Sequence, residues 1–417
     1  MVFIRLKDTL LKKFKKQRIM RKNRDRQDYI RRRSIYHTKV GTMHFSPTIS
    51  PAPKNVERNE IESLYNAIKY FKDIGQTKLC IQPKYMGSYS DVLLMKDITQ
   101  SKVYSRKGHY IDWLDNEELI DGLLNIHNRF DWSELDYVLL QAELMPWSAM
   151  GEGLIEKEFD SYVHCLEHHV NYLKEHKIFD KINNLKNQND FSEYLNDRDV
   201  LSKKELNKKF PSHIKRQYEG WDNFYMYDIE EYERGIETYK EQLGLYGVKA
   251  KIYFKPFNVL KYGYSSGEQK INTSNIDGFN AVSEDQMLVI DFEKMNFVEA
   301  ISHAYKFYHA LVESGAEGVM VKPDEVFIEG HPPAFKVRNN DYLTMIYGVN
   351  FKHDYDYYLS RRKVGKKIKE SVNQWEIARK MLEIPFSEIS VDNEYYTKLI
   401  ELRVEAEYRE VYLDSRL

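Results

Sequence analysis

One short stretch of the chain could present an amine to a phosphate group. Lys84 is followed by Gly87 and Ser88, and the flanking segments 78–82 and 92–95 both predict buried strands. A glycine lets the backbone come close to a ligand, and the serine adds a hydroxyl and one more exposed amide. Because short glycine motifs are common by chance, a hairpin with a surface lysine is the simpler interpretation of this pattern on its own.

A second candidate is an acid inside an apolar strand. Residues 137–145 predict a strongly apolar strand in which Glu143 is the one acid. Burying a bare carboxylate is costly, so Glu143 needs a partner. We expect it to bind a sugar hydroxyl or a metal ion, and a structural ion pair is the alternative.

Cations and one more acid lie in two predicted strands toward the end of the chain. Glu317 begins the first of them, and Lys322 lies near its end. Lys336 and Arg338 are two residues apart in the second, so they project from the same face of that strand. Two cations on one face of an apolar strand are costly unless they meet an anion. A solvated sheet face is the alternative.

Basic segments indicate an anionic partner. Arg106 and the Lys-Gly after it close a predicted strand at 102–106, where a phosphate or nucleic-acid contact and an ordinary basic turn are equal alternatives. Residues 1–33 carry 14 Lys and Arg against three Asp, a net charge of +11 in a chain whose net charge is −1. Such an arm predicts contact with a polyanion, unless it is a solvated helix at a frayed terminus. Apolar residues at helical spacing within it indicate that part of the arm docks.

Composition predicts a globular protein of two or three domains. The chain has 417 residues, of which 30% are charged and 14% aromatic. No apolar run approaches the ~20 residues that span a bilayer, and the basic N-terminus lacks the apolar core of a secretory signal. Cys80 and Cys165 give no framework for disulfides or zinc. We therefore expect a reducing, cytoplasmic setting and no membrane partner.

Helical patterns surround these candidate residues. The segment 60–71 predicts an amphipathic helix with Asn59 as its N-cap. Residues 150–245 are highly charged and predict a helical insertion. Within it, His164 and His168 lie one helical turn apart and could bind a metal ion. Since no second ligand pair is nearby, we interpret them as surface residues of a helix.

Taken in order, these motifs resemble those of a known superfamily. Their order resembles that of the covalent nucleotidyltransferases, which include RNA ligases, DNA ligases and capping enzymes. The motifs are, in order, Lys-x-x-Gly-Ser, a strand acid, an aromatic strand, Glu-Gly-x-x-x-Lys and Lys-x-Arg. The fuller segments Pro-Lys-Tyr-Met-Gly-Ser, Ala-Glu-Leu-Met-Pro-Trp-Ser-Ala and Glu-Gly-Val-Met-Val-Lys-Pro are similar to the ligase domain of bacterial polynucleotide kinase–phosphatase RNA-repair enzymes. The resemblance covers roughly residues 36–417.

The resemblance implies a fold and a division into domains. The fold would be α+β, with an antiparallel-sheet nucleotidyltransferase core of the ATP-grasp-like ligase type, a helical insertion and a C-terminal helical module. The basic arm would be 1–35 and the nucleotidyltransferase domain 36–345, with the insertion at about 150–245. The C-terminal module would be 346–417.

The resemblance also implies an ATP-dependent RNA ligase. Lys84 would attack the α-phosphate of ATP to give a lysyl-AMP adduct, and Glu317 would help to place Mg²⁺ or Mn²⁺. Lysine is protonated at neutral pH, and nearby cations would lower the pKa of Lys84. Glu143 would hold the ribose and Phe257 would stack on adenine. The residues that the resemblance places at the nucleotide are Gln82, Gly87, Ser88, Arg106, Glu143, Phe257, Lys322, Lys336 and Arg338.

The implied substrate is RNA with 5′-phosphate and 3′-hydroxyl ends. The implied partners are separate end-healing kinase and phosphatase enzymes and an RNA 3′-terminal methyltransferase. Two positions depart from the family: Tyr89 stands where arginine is usual, and Gln82 where an acid is frequent. Two alternatives stay open, a nucleic-acid-binding module that has lost sealing and a guanylyltransferase that uses GTP.

Overall fold

The structure is a computed structural model, and it describes residues 25–149, 155–224, 226–246 and 251–407. Within these residues the chain divides into two compact units. The first takes the described residues up to Gly151, from Leu245 to Asn339 and from Asp356 onward. The second takes the described residues of Glu152–Gly244 and Asn340–Tyr355. The domain boundaries expected from the sequence stay a prediction.

The described residues form a mixed α+β structure. The strands are β1 (Ser50–Pro51), β2 (Lys78–Lys84), β3 (Ser88–Met95), β4 (Lys102–Ser105), β5 (Leu135–Met145), β6 (Tyr253–Tyr264), β7 (Gln269–Ile271), β8 (Leu288–Asp291), β9 (Gly318–Pro323) and β10 (Phe335–Arg338). The helices are α1 (25–40), α2 (Leu64–Asp73), α3 (Asn116–His127), α4 (Asp160–Glu175), α5 (Ile178–Lys186), α6 (Asn189–Val200), α7 (Lys203–Lys209), α8 (Ser212–Asp222), α9 (Ile229–Tyr246), α10 (Asn275–Val282), α11 (Phe297–Glu313), α12 (Asn340–Tyr347), α13 (Tyr355–Arg361), α14 (Gly365–Leu382) and α15 (Glu394–Glu405).

Two five-stranded sheets make up the centre of the first unit. One has the strand order β1-β10-β9-β2-β8, and the other has the order β4-β3-β5-β6-β7. All neighbouring strands are antiparallel except β1 and β10, which are parallel. The antiparallel sheets expected from the sequence are therefore present.

Each sheet buries one apolar face under helices. In the first sheet, Leu79, Ile81 and Val319 lie in a core that α2 and α11 complete. In the second sheet, Val92 and Leu140 lie in a core that α3 completes. Since side chains alternate along a strand, the residues between these apolar positions project to the opposite face. The opposite faces carry the candidate site residues.

The C-terminal helices pack on the other face of the second sheet. Trp375 and Leu382 of α14 are buried with Leu93 and Leu139 of that sheet. Trp375 and Leu382 are therefore core residues. Residues 1–24 of the predicted basic arm lie outside the described residues.

The described end of the arm is helical and packs on the last helix. Tyr29 and Ile30 of α1 contact the cluster that contains Tyr396 and Ile400 of α15. Arg33 adds an ion pair to Glu407, with 2.6 Å between Nη1 and Oε2. This segment is therefore docked. Leu6, Leu10 and Phe14, whose helical spacing predicted that part of the arm docks, lie outside the described residues, so that prediction stays a prediction.

The first helix after the arm begins later than predicted. Helix α2 starts at Leu64 rather than at residue 60, and Ser63 is its N-cap, accepting a hydrogen bond from the backbone N–H three residues on. Asn59, the predicted cap, lies in a turn with φ of 54°. The prediction was wrong because Glu62, which was assigned to the helix, is instead buried in an ion pair before it.

The second unit is helical, as predicted for the insertion. A cluster of aromatic residues holds α6, α7 and α8 together. His164 lies 3.6 Å from Glu167, between Nδ1 and Oε2, on an exposed part of α4. The described residues contain no group of three or more His, Cys, Asp or Glu that could hold a metal ion. His164 and His168 are both exposed, as we expect for surface residues of a helix. None of the described helices is both long and apolar enough to cross a membrane.

Gly318 lets β9 and β10 of the first sheet approach closely. Its φ is +152°, and a Cβ there would lie 2.0 Å from the carbonyl oxygen of Val337. We predict that Gly318→Ala lowers the free energy of unfolding by about 3 kcal/mol or more, because it adds a clash to backbone strain. Gly315→Ala is the matched control, since its φ of +91° gives strain without any atom within 4 Å. Urea unfolding followed by circular dichroism measures both, and equal losses would contradict the prediction.

Candidate active site

The register of the first sheet places the predicted cations on one face. Directly opposite residues of antiparallel strands project to the same side. Lys84 of β2 lies opposite Gly318 of β9, which lies opposite Arg338 of β10. By the same register, Lys322 and Lys336 project from this face too. Lys84 therefore shares the face that is not apolar with three cations that lie far from it in sequence.

Lys84 forms an ion pair with a buried acid. Its Nζ lies 2.7 Å from Oε2 of Glu317. The Glu317 side chain is 2% exposed, and its other oxygen, Oε1, is buried with no hydrogen-bond partner among the described residues. Glu317 precedes β9 directly, so the position of Gly318 brings the acid beside the lysine. An amine and an acid with one unused oxygen thus meet at the end of β2.

Glu143 projects toward the same point from the second sheet. Its Oε2 is buried and has no hydrogen-bond partner among the described residues. Burial raises the pKa of Glu143 to about 8, with Lys84 opposing the rise and Glu317 adding to it. The two acids and the lysine are therefore close enough to influence one another. Glu143 is mostly protonated at neutral pH when nothing is bound.

The turn after Lys84 has no room for a side chain at Gly87. A Cβ on Gly87 would lie 2.5 Å from Sδ of Met145 and 2.8 Å from the carbonyl oxygen of Leu144. The turn is thereby pressed against β5 beside Glu143. Ser88 follows as the first residue of β3 and is half-buried. Gly87 is thus a requirement of packing, which the sequence pattern alone could not show.

An aromatic ring and a cation lie side by side at the other end of this face. Nζ of Lys322 is 4.6 Å from the centre of the Phe257 ring. Tyr89 meets the same ring at 5.6 Å in an edge-to-face arrangement. Burial lowers the pKa of Lys322 to about 8. Phe257, predicted to stack on a base, therefore lies beside a buried lysine.

Lys336 is a half-buried cation among other charges. Burial holds its pKa well below the usual lysine value, and the charges of Arg338 and Lys84 lower it further. Glu62 and Glu317 oppose that change. Lys336 therefore lies near Lys84, as the resemblance implies for a phosphate ligand.

A buried acid that the sequence reasoning missed holds two arginines. Glu62 accepts hydrogen bonds from Nε and Nη2 of Arg338 at 3.1 Å and 2.5 Å and from the Arg338 backbone N–H at 3.1 Å. Arg362 donates from Nη2 to the same carboxylate at 2.7 Å. Burial alone would raise the pKa of Glu62, but the two arginines lower it below its ordinary value. The partners are 276 and 300 residues away in sequence, so no local pattern could have revealed them.

The remaining predicted residues lie at the edges of the site. Gln82 is buried two residues before Lys84 and donates from Nε2 to Sγ of Cys80 at 3.6 Å. Arg106 follows β4 and donates from Nη1 to Oγ1 of Thr48 at 2.7 Å. The positive charge of Arg106 also acts on Glu143, so this arginine belongs to the second-sheet side of the site.

Tyr89, where the family usually has arginine, is engaged in a buried polar network. Its hydroxyl is hydrogen-bonded to Ser46 and donates to Oδ1 of Asp91 at 3.3 Å. Ser46 donates to the same carboxylate oxygen at 2.7 Å. Burial raises the pKa of Tyr89 well above the ordinary tyrosine value. Tyr89 is therefore fixed to the sheet through its hydroxyl.

The residues present fit a nucleotide and a divalent metal ion bound together. Carboxylate oxygens suit Mg²⁺, which takes one or two of them and completes its coordination with water and phosphate oxygens. Glu143 and Glu317 each offer one buried oxygen that has no partner among the described residues. These two acids do not make a metal centre by themselves, so phosphate oxygens would have to complete it.

The chain is similar to known proteins over most of its length. The profile of one family, described as "PNKP adenylyltransferase domain, ligase domain", matches residues 38–390. A chain in the solved "Structure of Pnkp1/Rnl/Hen1 complex" is 38% identical, with a TM-score of 0.87 over 94% of this chain and 100% of that one. A chain in the "Structure of the Pnkp1/Rnl/Hen1 RNA repair complex" is 39% identical, with a TM-score of 0.81 over 94% and 99%. No curated protein sequence matches.

The family match spans more than half of this chain. The two solved chains have the same fold as this chain and are more than 30% identical to it in sequence. The predicted resemblance and the predicted fold class are therefore confirmed. The chain belongs to the family of PNKP adenylyltransferase (ligase) domains.

Proposed function

We propose that this protein is an ATP-dependent RNA ligase that works through a lysyl-AMP intermediate on Lys84. The observation that carries the proposal is the position of the Lys84 amine, 2.7 Å from buried Glu317 on the face that Lys322, Lys336 and Arg338 share. Family membership supports the adenylyltransferase chemistry. The two similar solved chains come from an RNA repair complex, which supports RNA as the substrate.

In the first step, Nζ of Lys84 would attack the α-phosphorus of ATP. The new N–P bond forms as the bond to the β-phosphate oxygen breaks, and pyrophosphate leaves. The amine must be neutral to attack, whereas the carboxylate of Glu317 favours its ammonium form. Mg²⁺ or Mn²⁺ held by Glu317 would neutralise charge on the phosphates. With Glu317 so engaged, the neighbouring charge of Lys336 would favour the neutral amine.

The chain's own residues would position the nucleotide. Phe257 would stack on adenine, and Glu143, protonated at neutral pH, could donate a hydrogen bond to a ribose oxygen. Lys322 and Lys336 would bind phosphate oxygens. Their lowered pKa values reflect burial without a full set of counter-ions, which is the situation that a bound anion relieves.

In the later steps, the AMP group would pass to RNA. An oxygen of the RNA 5′-phosphate attacks the adenylate phosphorus, the N–P bond breaks, and Lys84 regains its proton. A 3′-hydroxyl then attacks the RNA 5′-phosphate and releases AMP, which seals the strand. By analogy with the complexes that contain the two similar chains, we propose that end-healing kinase and phosphatase enzymes and a 3′-terminal methyltransferase are partners.

The adduct itself is the direct test. We expect α-labelled ATP with Mg²⁺ to leave label on the denatured protein, and we expect no label on Lys84→Arg, which keeps the charge opposite Glu317 but is a far poorer nucleophile. Lys96→Ala, at an exposed lysine, is the control and should label like the native protein. If Lys84→Arg labels equally, the proposal fails. Labelling by GTP instead of ATP would favour the guanylyltransferase alternative, and no labelling would favour the binding module.

Glu62 should matter for nucleotide binding because it holds Arg338. Glu62→Gln leaves the buried guanidinium of Arg338 and the part-buried one of Arg362 sharing a neutral amide, so we expect a loss of about 3 kcal/mol in stability and a KM for ATP raised roughly tenfold or more. Glu60→Gln is the control, since its carboxylate bonds Tyr305 in the same segment and does not touch Arg338. Adduct formation at varied ATP concentration measures the KM. An unchanged KM would show that Arg338 does not need this partner.

The raised pKa of Glu143 predicts a pH-dependent effect of Glu143→Gln. With a pKa of about 8 in the folded protein, against about 4.5 unfolded, Glu143 keeps a proton that the unfolded chain loses. Its contribution to stability therefore falls as pH rises from about 4.5 to 8. We expect Glu143→Gln to become more stable relative to the native protein as pH rises across this window, by up to about 5 kcal/mol at pH 8.5, since one pKa unit corresponds to about 1.4 kcal/mol. Thermal melting at several pH values measures it, Glu313→Gln at an exposed acid is the control, and a gain that is independent of pH would refute it.

A further inference from the structure

Positive charge is segregated within the helical second unit. Residues 152–244 carry 14 Lys and Arg against 20 Asp and Glu, a net charge of −6. Residues 203–216, however, carry six Lys and Arg against one Glu, a net charge of +5. One short segment therefore stands out against an acidic background.

Most of these cations are exposed and unpaired. Lys203, Lys204, Lys208 and Arg216 are exposed and form no ion pair within the part of the chain that the structure describes. Elsewhere in the unit, Lys174, Arg198 and Lys240 each pair with an acid at 2.6 to 3.0 Å. Within the segment the paired cation is Lys209, whose Nζ lies 2.5 Å from carboxylate oxygens of Glu193 and Asp197.

The helices that carry these cations are packed together through apolar side chains. The cations lie on α7 and α8, whose Leu206, Phe210 and Tyr218 pack into one cluster with Phe191 and Tyr194 of α6. The one acid of the segment, Glu205, completes a capping box with Ser202 and so faces the start of its own helix. The segment therefore turns its apolar side inward and presents cations outward.

We propose that this surface, which we call the α7–α8 basic surface (residues 203–216), binds the phosphate backbone of RNA. Lysine and arginine contacts to phosphates supply most of the sequence-independent affinity for nucleic acids. Protein–protein interfaces are instead poor in lysine and rich in Tyr, Trp and Phe, and this segment has a single such residue, Phe210, which is buried. The inference rests on the proposed function for the presence of RNA, and it assigns a second contact with that substrate.

The test compares two triple variants of the full chain with the same loss of charge. One is K204A/K208A/R216A on the α7–α8 basic surface. The control is K181A/K270A/K306A, at exposed lysines outside it. The affinity for a 5′-phosphorylated, single-stranded RNA oligonucleotide is measured by fluorescence anisotropy at several salt concentrations. Circular dichroism and labelling by ATP are recorded for each protein.

We expect the surface variant to bind RNA roughly tenfold more weakly than the control variant, with a salt dependence (log Kd against log salt) shallower by about 2. Its labelling by ATP should equal that of the native protein, because the altered residues lie outside the adenylylation site. Equal RNA affinity of the two variants overturns the inference, and so does a native protein that binds no RNA. Equal affinity together with weaker assembly with a protein partner would instead assign the surface to that partner.

The two proposals fail in different ways. A native protein that forms no adduct refutes the ligase proposal, whatever the RNA affinity. Suppose instead that the native protein forms the adduct and the surface variant binds RNA as the control does. That result refutes only the RNA-binding role of the α7–α8 basic surface.

Discussion

A buried carboxylate has to be paired or protonated, and this constraint organises the candidate site. Glu62 is held by two arginines and stays charged. Glu317 is paired on one oxygen only, with Lys84. Glu143 has an unpaired oxygen and a pKa raised to about 8. The negative charge of the three carboxylates is thus balanced fully at Glu62, in part at Glu317 and least at Glu143. At the two less balanced acids, a metal ion and phosphates would supply the missing positive charge and hydrogen bonds.

In both sheets the two faces have different roles. Each gives one face to an apolar core beneath helices and leaves the other for polar residues. The close contact at Gly318 aligns β9 between β2 and β10, so that residues far apart in sequence meet. The face of the second sheet that points away from α3 is polar near Glu143. Farther along the strands the same face is apolar, and α14 covers it.

Much of this was predictable from local patterns. The strands around Lys84, Glu143 and Glu317 have strong apolar alternation, and the order of motifs indicated both fold class and family. The start of α2 was not predictable, because Glu62 binds two arginines that are distant in sequence and lies before the helix rather than in it. The network around Tyr89 was equally hidden, since Ser46 lies 43 residues away. Contacts at such separations leave no periodic signal in the sequence.

The two cysteines differ in accessibility in a way that has a practical consequence. Cys80 lies on the same face of β2 as Lys84, is fully buried, and has a pKa raised by burial to about 12. Cys165 is exposed on α4 of the helical unit. Thiolate is the reactive form of cysteine, so a maleimide fluorophore reaches Cys165 and spares Cys80 in the folded protein. The native chain thus carries a single attachment point for an optical reporter, placed in the unit that also bears the α7–α8 basic surface.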